Sequence, residues 1–170
     1  ILKKEAVKMK LATSDIISKT DAYAEEKLKI SAYELIERSG RAVADAAEKL
    51  CESGRILILA GGGNNGADGY AAAKELWRRG RSVKIIDVFC KGQRTDGGKA
   101  HLEECRSLEI EILTGADTDI EKETRNSSLI IDAIFGTGVR LPLPECAVRI
   151  ARAIGKSPAK KFAVDLPLGV

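Results

Sequence analysis

Residues 55–76 set a short aliphatic run, RILILA, against a glycine cluster, GGGNNGAD, and then an alanine-rich helical stretch, GYAAAKEL. An aliphatic run without polar alternation suits a strand covered on both faces. A glycine turn and a helix directly after it make half of a parallel crossover unit. The pattern recurs along the chain. SVKIIDVF reads as a second strand, EIEIL as a third, SLIIDAIF as a fourth, and KKFAVDLPLGV as a fifth that ends in a turn. Helices are expected over DGYAAAKELWRRG, closed by Gly80, over DGGKAHLEECRSL, and over ECAVRIARAIG. Before the first strand, SAYELIERSGRAVADAAEKL reads as a helix ended by Gly54. Ser31 and Glu34 form its capping box, and Ile36, Gly40, Val43, Ala47 and Leu50 share one face. Strands alternating with helices across short loops predict an α/β fold with a mostly parallel sheet. One domain is expected over residues 1–170, with residues 1–30 as a solvated helical arm.

Composition excludes several classes. A net charge of +3, with basic side chains scattered and few aromatics, gives no nucleic-acid surface. The apolar runs are too short and too often interrupted by charge to span a membrane. Four cysteines, Cys51, Cys90, Cys105 and Cys146, lie far apart, and His101 is the single histidine. That inventory argues against a zinc site and for reduced thiols in the cytoplasm.

Ligands of open α/β sheets sit beyond the carboxyl ends of the strands. Three loops fall there and are expected to gather on one edge: GGGNNGAD, DAIFGTGVRLP and DLPLG. Gly61, Gly63 and Gly66 match the spacing of a dinucleotide fingerprint, and glycine there lets main-chain amides approach an anion at a helix N-terminus. A tight strand-to-helix turn explains the glycines equally well, but not the paired Asn64 and Asn65, whose amides both donate and accept. Asp68 is expected to cap the following helix, with a sugar hydroxyl as its other partner. Asp87 lies where a Rossmann site puts its ribose carboxylate, although the strand is expected to run on past it. Asp132 follows three aliphatic residues, so its burial demands compensation: it is either a structural carboxylate satisfied by nearby glycine amides or, as the reading preferred because Gly136 and Gly138 open the loop beside it, a site carboxylate. Asp165 is either a site carboxylate or a turn-former before Pro167. Lys91 is a solvated lysine or a substrate contact. His101 reads as a surface or helix-packing residue, and Trp77 and Met9 as helix-packing residues.

The segments ELIERSGRAVA, GGGNNGADGYAAAKEL, IIDAIFGTGVRLP and AVDLPLG, in this order and at these spacings, resemble the NAD(P)HX epimerase family, also known as the YjeF N-terminal domain. The resemblance implies a Rossmann-like three-layer α/β/α sandwich that interconverts the R and S epimers of NADHX or NADPHX, the hydrated forms of reduced nicotinamide cofactors. It implies substrate contacts at Asn64, Asn65, Gly66, Ala67 and Asp68, along Gly136, Thr137, Gly138, Val139, Arg140, Leu141 and Pro142, and at Asp165. Asn65 and Asp132 match ligands of a potassium ion, and Leu168 stands where the family has serine. The family domain continues beyond the position of Val170, so its carboxyl end is expected to be missing here. Chemistry at the hydroxyl-bearing ring carbon calls for a carboxyl proton donor. Asp132 is the first choice, with Lys91 as a second participant. A homodimer and a fused or separate NAD(P)HX dehydratase are compatible with this reading. The alternatives are a fragment of an NAD-dependent dehydrogenase, for which no second domain remains, and a non-catalytic binding or dimerisation scaffold like the related domains of mRNA-decapping factors.

Overall fold

The computed structural model describes residues 13–88, 94–115, 118–139 and 141–168. Residues 1–32 and 33–170 form two compact units. The described part of the first is helix α1 (Ser14–Glu26), capped by the Thr13 hydroxyl, which accepts from the Ile16 N–H. Met9 lies outside the described residues.

The second unit is built on α2 (Ala32–Leu50), β1 (Ile56–Ala60), α3 (Asn64–Arg78), β2 (Val83–Asp87), α4 (Asp96–Ser107), β3 (Glu111–Thr114), α5 (Ile120–Arg125), β4 (Leu129–Ala133), α6 (Glu145–Lys156) and β5 (Lys160–Ala163). All four strand pairings are parallel, in the order β3-β2-β1-β4-β5. The chain therefore winds outward from β1 in both directions, and β1 and β4 flank the point where the winding reverses.

Strand periodicity divides the core in two. Ile56, Ile58, Ile85, Leu129 and Ile131 face α2, α3 and α4, where Val43, Ala47, Tyr70, Leu76 and Leu102 meet them. Leu57, Leu59, Ile86 and Ile130 face the other way, onto Ile120 of α5 and Ile150, Ala153 and Ile154 of α6. Both faces being covered explains why β1 and β4 are buried along their whole length.

Four details differ from expectation. Helix α3 begins at Asn64 instead of Asp68, and Gly63 is its N-cap, so Asp68 lies inside the helix and does not cap it. Strand β2 ends at Asp87, two residues short of the expected end. The short α5, capped by the Asp119 carboxylate accepting from Lys122 N–H, was not expected; six residues carry too little periodicity to reveal a helix. Leu50 and Trp77, expected as packing residues, are 39% and 41% exposed, because each falls in the last turn of its helix beyond the buried run.

A charged cluster joins α2, α3 and α4. Lys74 is 1% exposed and its ammonium pairs with Glu37 at 2.5 Å and with Glu104. Burial opposes its charge, but the hydrogen bonds it donates to Glu104 and Glu37 outweigh this and raise its pKa. His101 is fully buried, stacked on Tyr33 with ring centroids 4.5 Å apart, and neither ring nitrogen has a hydrogen-bond partner. Burial first, and the neighbouring Lys74 second, hold its pKa below the usual value. A lowered folded pKa means that the unfolded chain binds the extra proton first. The stability contribution is therefore complete above about pH 6.5 and is lost as pH falls below that value toward the folded pKa. His101→Phe keeps the stack and removes the only imidazole. Thermal melts from pH 7.5 to 5 are expected to decline for the parent chain and to stay nearly level across this window for His101→Phe.

Candidate active site

Parallel pairing brings the carboxyl ends of three strands together. Ala60 lies opposite Ala133 across β1 and β4, and Asp132 lies opposite Ala163 across β4 and β5. The loops that follow, 61–63, 134–139 and 164–168, consequently gather on one edge, as expected. The N-terminus of α3 opens there with no side-chain cap. Main-chain amides of its first turn and the positive end of its dipole are directed at the same edge.

Asn65 closes this arrangement. Its amide donates to the Phe135 carbonyl at 2.7 Å, tying the first turn of α3 to the loop after β4. Gly66 crosses the Gly61 main chain so closely that a Cβ would lie 1.9 Å from the Gly61 carbonyl oxygen. Only glycine permits that crossing. Asn64 is exposed, Asp68 half-buried, and Ala67 wholly buried, so Ala67 supports the turn from beneath.

Two carboxylates complete the edge in different ways. Asp132 is 5% exposed. Its Oδ1 accepts from the Ile134 N–H at 3.2 Å, and its Oδ2 from the Leu168 N–H at 2.6 Å. Burial raises its pKa, and the two main-chain donors work against that rise. Asp165 is exposed, and its Oδ2 accepts from the Thr137 N–H at 2.8 Å. Gly138, Val139, Leu141 and Pro142 are exposed along the same loop. Lys91 and Arg140 lie outside the described residues. A cleft of about 740 Å³ opens between α6 and β5, lined among others by Ile130, Asp132, Val148, Phe162 and Leu168.

Asp87 ends β2, is 4% exposed and pairs through Oδ2 with Arg94. Oδ1 is buried without a hydrogen-bond partner, and that burial shuts a ribose hydroxyl out of the carboxylate. Thr95 N–H reaches the Gly62 carbonyl at 3.3 Å, which fastens the start of α4 to the glycine loop.

Glu37, His101 and Glu104 bring ligand atoms within 4.8 Å of one another, but the Lys74 ammonium already bridges both carboxylates and acts as the resident cation. The donors expected to hold potassium are hard oxygens: the Asn65 side-chain carbonyl and the Asp132 carboxylate. Asn65 turns its nitrogen to Phe135, which leaves its oxygen available, and both Asp132 oxygens retain acceptor capacity. The donor chemistry fits a monovalent cation. Leu168 adds no side-chain oxygen; its side chain packs against the α6-side core.

A parallel sheet wound in this order, with an uncapped helix end and two carboxylates beyond its strand ends, defines a Rossmann-like α/β domain. The model of the family YjeF-related protein N-terminus matches residues 32–170, and the chain belongs to this family. The NAD(P)H-hydrate epimerase of Rhodopirellula baltica is 28% identical over 173 residues, covering all of this chain and 70% of that protein. The NAD(P)H-hydrate epimerase of Leuconostoc mesenteroides is 33% identical over 95% of this chain and 71% of its own length. The bifunctional NAD(P)H-hydrate repair enzyme Nnr of Archaeoglobus fulgidus is 35% identical over 80% of this chain, which spans 27% of that longer protein. The crystal structure of the yeast protein YNL200c has the same fold, with a TM-score of 0.82 and 22% identity over 95% of this chain and 72% of its own.

The main-chain participants, the Phe135 carbonyl and the Ile134 and Leu168 N–H groups, are not legible in the sequence. No residue type signals them, since every residue carries the same groups. Asn65→Asp tests the tie that they form. It sets a carboxylate oxygen against the Phe135 carbonyl, and stability is expected to fall by about 1–3 kcal/mol, the usual cost of a polar group left unsatisfied. Denaturant unfolding at neutral pH measures this.

Proposed function

We propose that this chain epimerises NAD(P)H-hydrate, interconverting the R and S forms of NADHX or NADPHX so that a separate dehydratase activity can restore both to the reduced cofactor. The observation that carries the reading is the meeting of Asn65, the Gly136–Thr137 turn and Asp165 beyond adjacent parallel strands. These residues lie in the segments GGGNNGADGYAAAKEL, IIDAIFGTGVRLP and AVDLPLG, on which the resemblance to the NAD(P)HX epimerase family rests. Such a site suits a nucleotide-like ligand. Main-chain amides at the start of α3 meet phosphate, the asparagine amides meet hydroxyls, and a carboxyl group serves the reacting ring. Asn64 through Asp68, Gly136 through Pro142, and Asp165 are the proposed substrate contacts, with Lys91 an additional contact.

Asn65 and Asp132 would hold the potassium ion. When bound, the ion supplies positive charge that steadies the carboxylate and the loop after β4. The chain's own groups do the rest: Asn65 anchors that loop, and Asp132 fixes the turn at Leu168.

Against the dehydrogenase alternative, the expected ribose carboxylate is buried, with one oxygen on Arg94. The scaffold alternative predicts binding without turnover. The bifunctional relatives join two activities in one chain, which makes a fused dehydratase or a dehydratase partner the natural companion. Among the described residues Cys51, Cys105 and Cys146 are free, and burial pushes the Cys105 thiol up to about 12; the proposed compartment is the cytoplasm, where thiols stay reduced. Among the described residues no helix is long and apolar enough to cross a membrane.

The test is proton NMR of the purified protein with a single NADHX epimer. Appearance of the other epimer, faster than in buffer, is expected. Exchange is further expected to be faster in potassium than in sodium or lithium at equal ionic strength, because the site offers carbonyl and carboxylate oxygens in place of the ion's water. Binding with no exchange would favour the scaffold.

A further inference from the structure

We infer that Asp165 carries the proton in the epimerisation, whereas Asp132 is a positioning residue that holds the turn at Leu168; the inference rests on the epimerase reading above. The two carboxylates differ in access and in what their oxygens already do.

Asp132 is 5% exposed and lines the cleft between α6 and β5, to which neither Gly136, Thr137 nor Asp165 contributes. Each of its oxygens already accepts a main-chain N–H, from Ile134 at 3.2 Å and from Leu168 at 2.6 Å. An acid catalyst must gain and lose a proton in every turnover. A proton on either Asp132 oxygen weakens its hold on one of these donors, so catalysis there would loosen the turn once per cycle.

Asp165 has the opposite arrangement. Its side chain is exposed, and Thr137 N–H engages Oδ2 at 2.8 Å, which leaves Oδ1 to a substrate or a water. It rests directly over Gly136, where a Cβ would lie 2.6 Å from Oδ2 and 3.7 Å from the Asn65 Cβ. The carboxyl, the glycine turn and the asparagine that ties α3 to β4 therefore share one small volume. The main chain carries the carboxyl without depending on its charge state. Solvent access lets it recover a proton between turnovers.

The step balances with this one group. The Asp165 carboxyl gives its proton to the hydroxyl on the ring carbon. The carbon–oxygen bond breaks with its electron pair on oxygen, water departs, and the ring nitrogen lone pair forms the carbon–nitrogen double bond of an iminium cation beside the carboxylate. Water then adds to either face. Its surplus proton returns to Asp165 directly from the near face, or passes to solvent from the far face while Asp165 takes one back. Reactants and products differ only in configuration.

The two isosteric amide variants separate the roles. Asp165→Asn keeps an acceptor oxygen for Thr137 but cannot carry the proton. Its kcat for epimer exchange is expected to fall at least ~100-fold with KM and thermal midpoint nearly unchanged, and the ionisation in the parent kcat–pH profile disappears. Asp132→Asn turns an NH2 toward one of two N–H donors. It is expected to lower the thermal midpoint and raise KM while keeping that ionisation. Should Asp165→Asn lose its native circular dichroism, Asp165→Ser, which also offers Thr137 an oxygen, takes its place. Exchange by the Asp165 variant within tenfold of the parent overturns the inference, as does loss of the ionisation in Asp132→Asn alone. If the parent chain does not accelerate exchange at all, the epimerase reading itself falls.

Discussion

A carboxylate buried at the end of β4 accepts one N–H from its own strand's continuation and one from a residue thirty-six positions further on. Much of the edge geometry depends on that pair of bonds. Leu168 N–H lies where the chain turns after β5, so Asp132 fixes the path of the 164–168 loop, and that path sets Asp165 over Gly136. The same β4 exit carries Phe135, whose carbonyl holds Asn65 at the start of α3. Three loops distant in sequence are thereby referenced to one strand end. The desolvation that raises Asp132's pKa is the cost of the anchor, and the two N–H donors offset part of it.

The helical layer on the other side of the sheet is organised by the opposite charge. Lys74 on α3 draws Glu37 from α2 and Glu104 from α4 to one buried point, with Tyr33 donating to Glu104 at 2.6 Å. A buried ammonium is costly unless paired, and removing one partner from such a group is far more damaging than never having built it. The cluster therefore fixes how α2 and α4 dock on α3. Because α4 begins at Thr95, bonded to Gly62, that docking also reaches the glycine loop.

The strands were legible because a parallel sheet covered on both faces leaves uninterrupted aliphatic runs, and β1 and β4 are the clearest instances. Helices α2, α4 and α6 were legible from their 3.6-residue spacing. The start of α3 was not, because NNGAD has the composition of a loop. Asparagines there become helical once Gly63 supplies the cap position and Asn65 finds the Phe135 carbonyl across the sheet. The identity of the site carboxylates was legible in type, since acids after aliphatic runs stand out. Their division of labour was not. It depends on which oxygens face main-chain donors, and Leu168, notable in sequence for the hydroxyl it lacks, contributes through an N–H that any residue other than proline would provide.

The likeness of this loop to a dinucleotide fingerprint has a steric origin. Gly66 is required because the first turn of α3 passes back over the Gly61 carbonyl, an approach that no side chain survives. At Gly63, by contrast, a Cβ would meet nothing within 4 Å, so no crowding enforces that glycine. The demand comes from joining a buried parallel strand to a helix that packs at once against its own strand, a constraint shared by all such crossovers whatever they bind. The spacing of the glycines therefore reports on the turn, and the ligand is chosen by what fills the positions between them. A dehydrogenase needs its ribose carboxylate free at the end of β2. In this chain that carboxylate is buried with one oxygen on Arg94, and the polar groups offered at the edge come from Asn64, Asn65 and Asp165, around α3 and beyond β5.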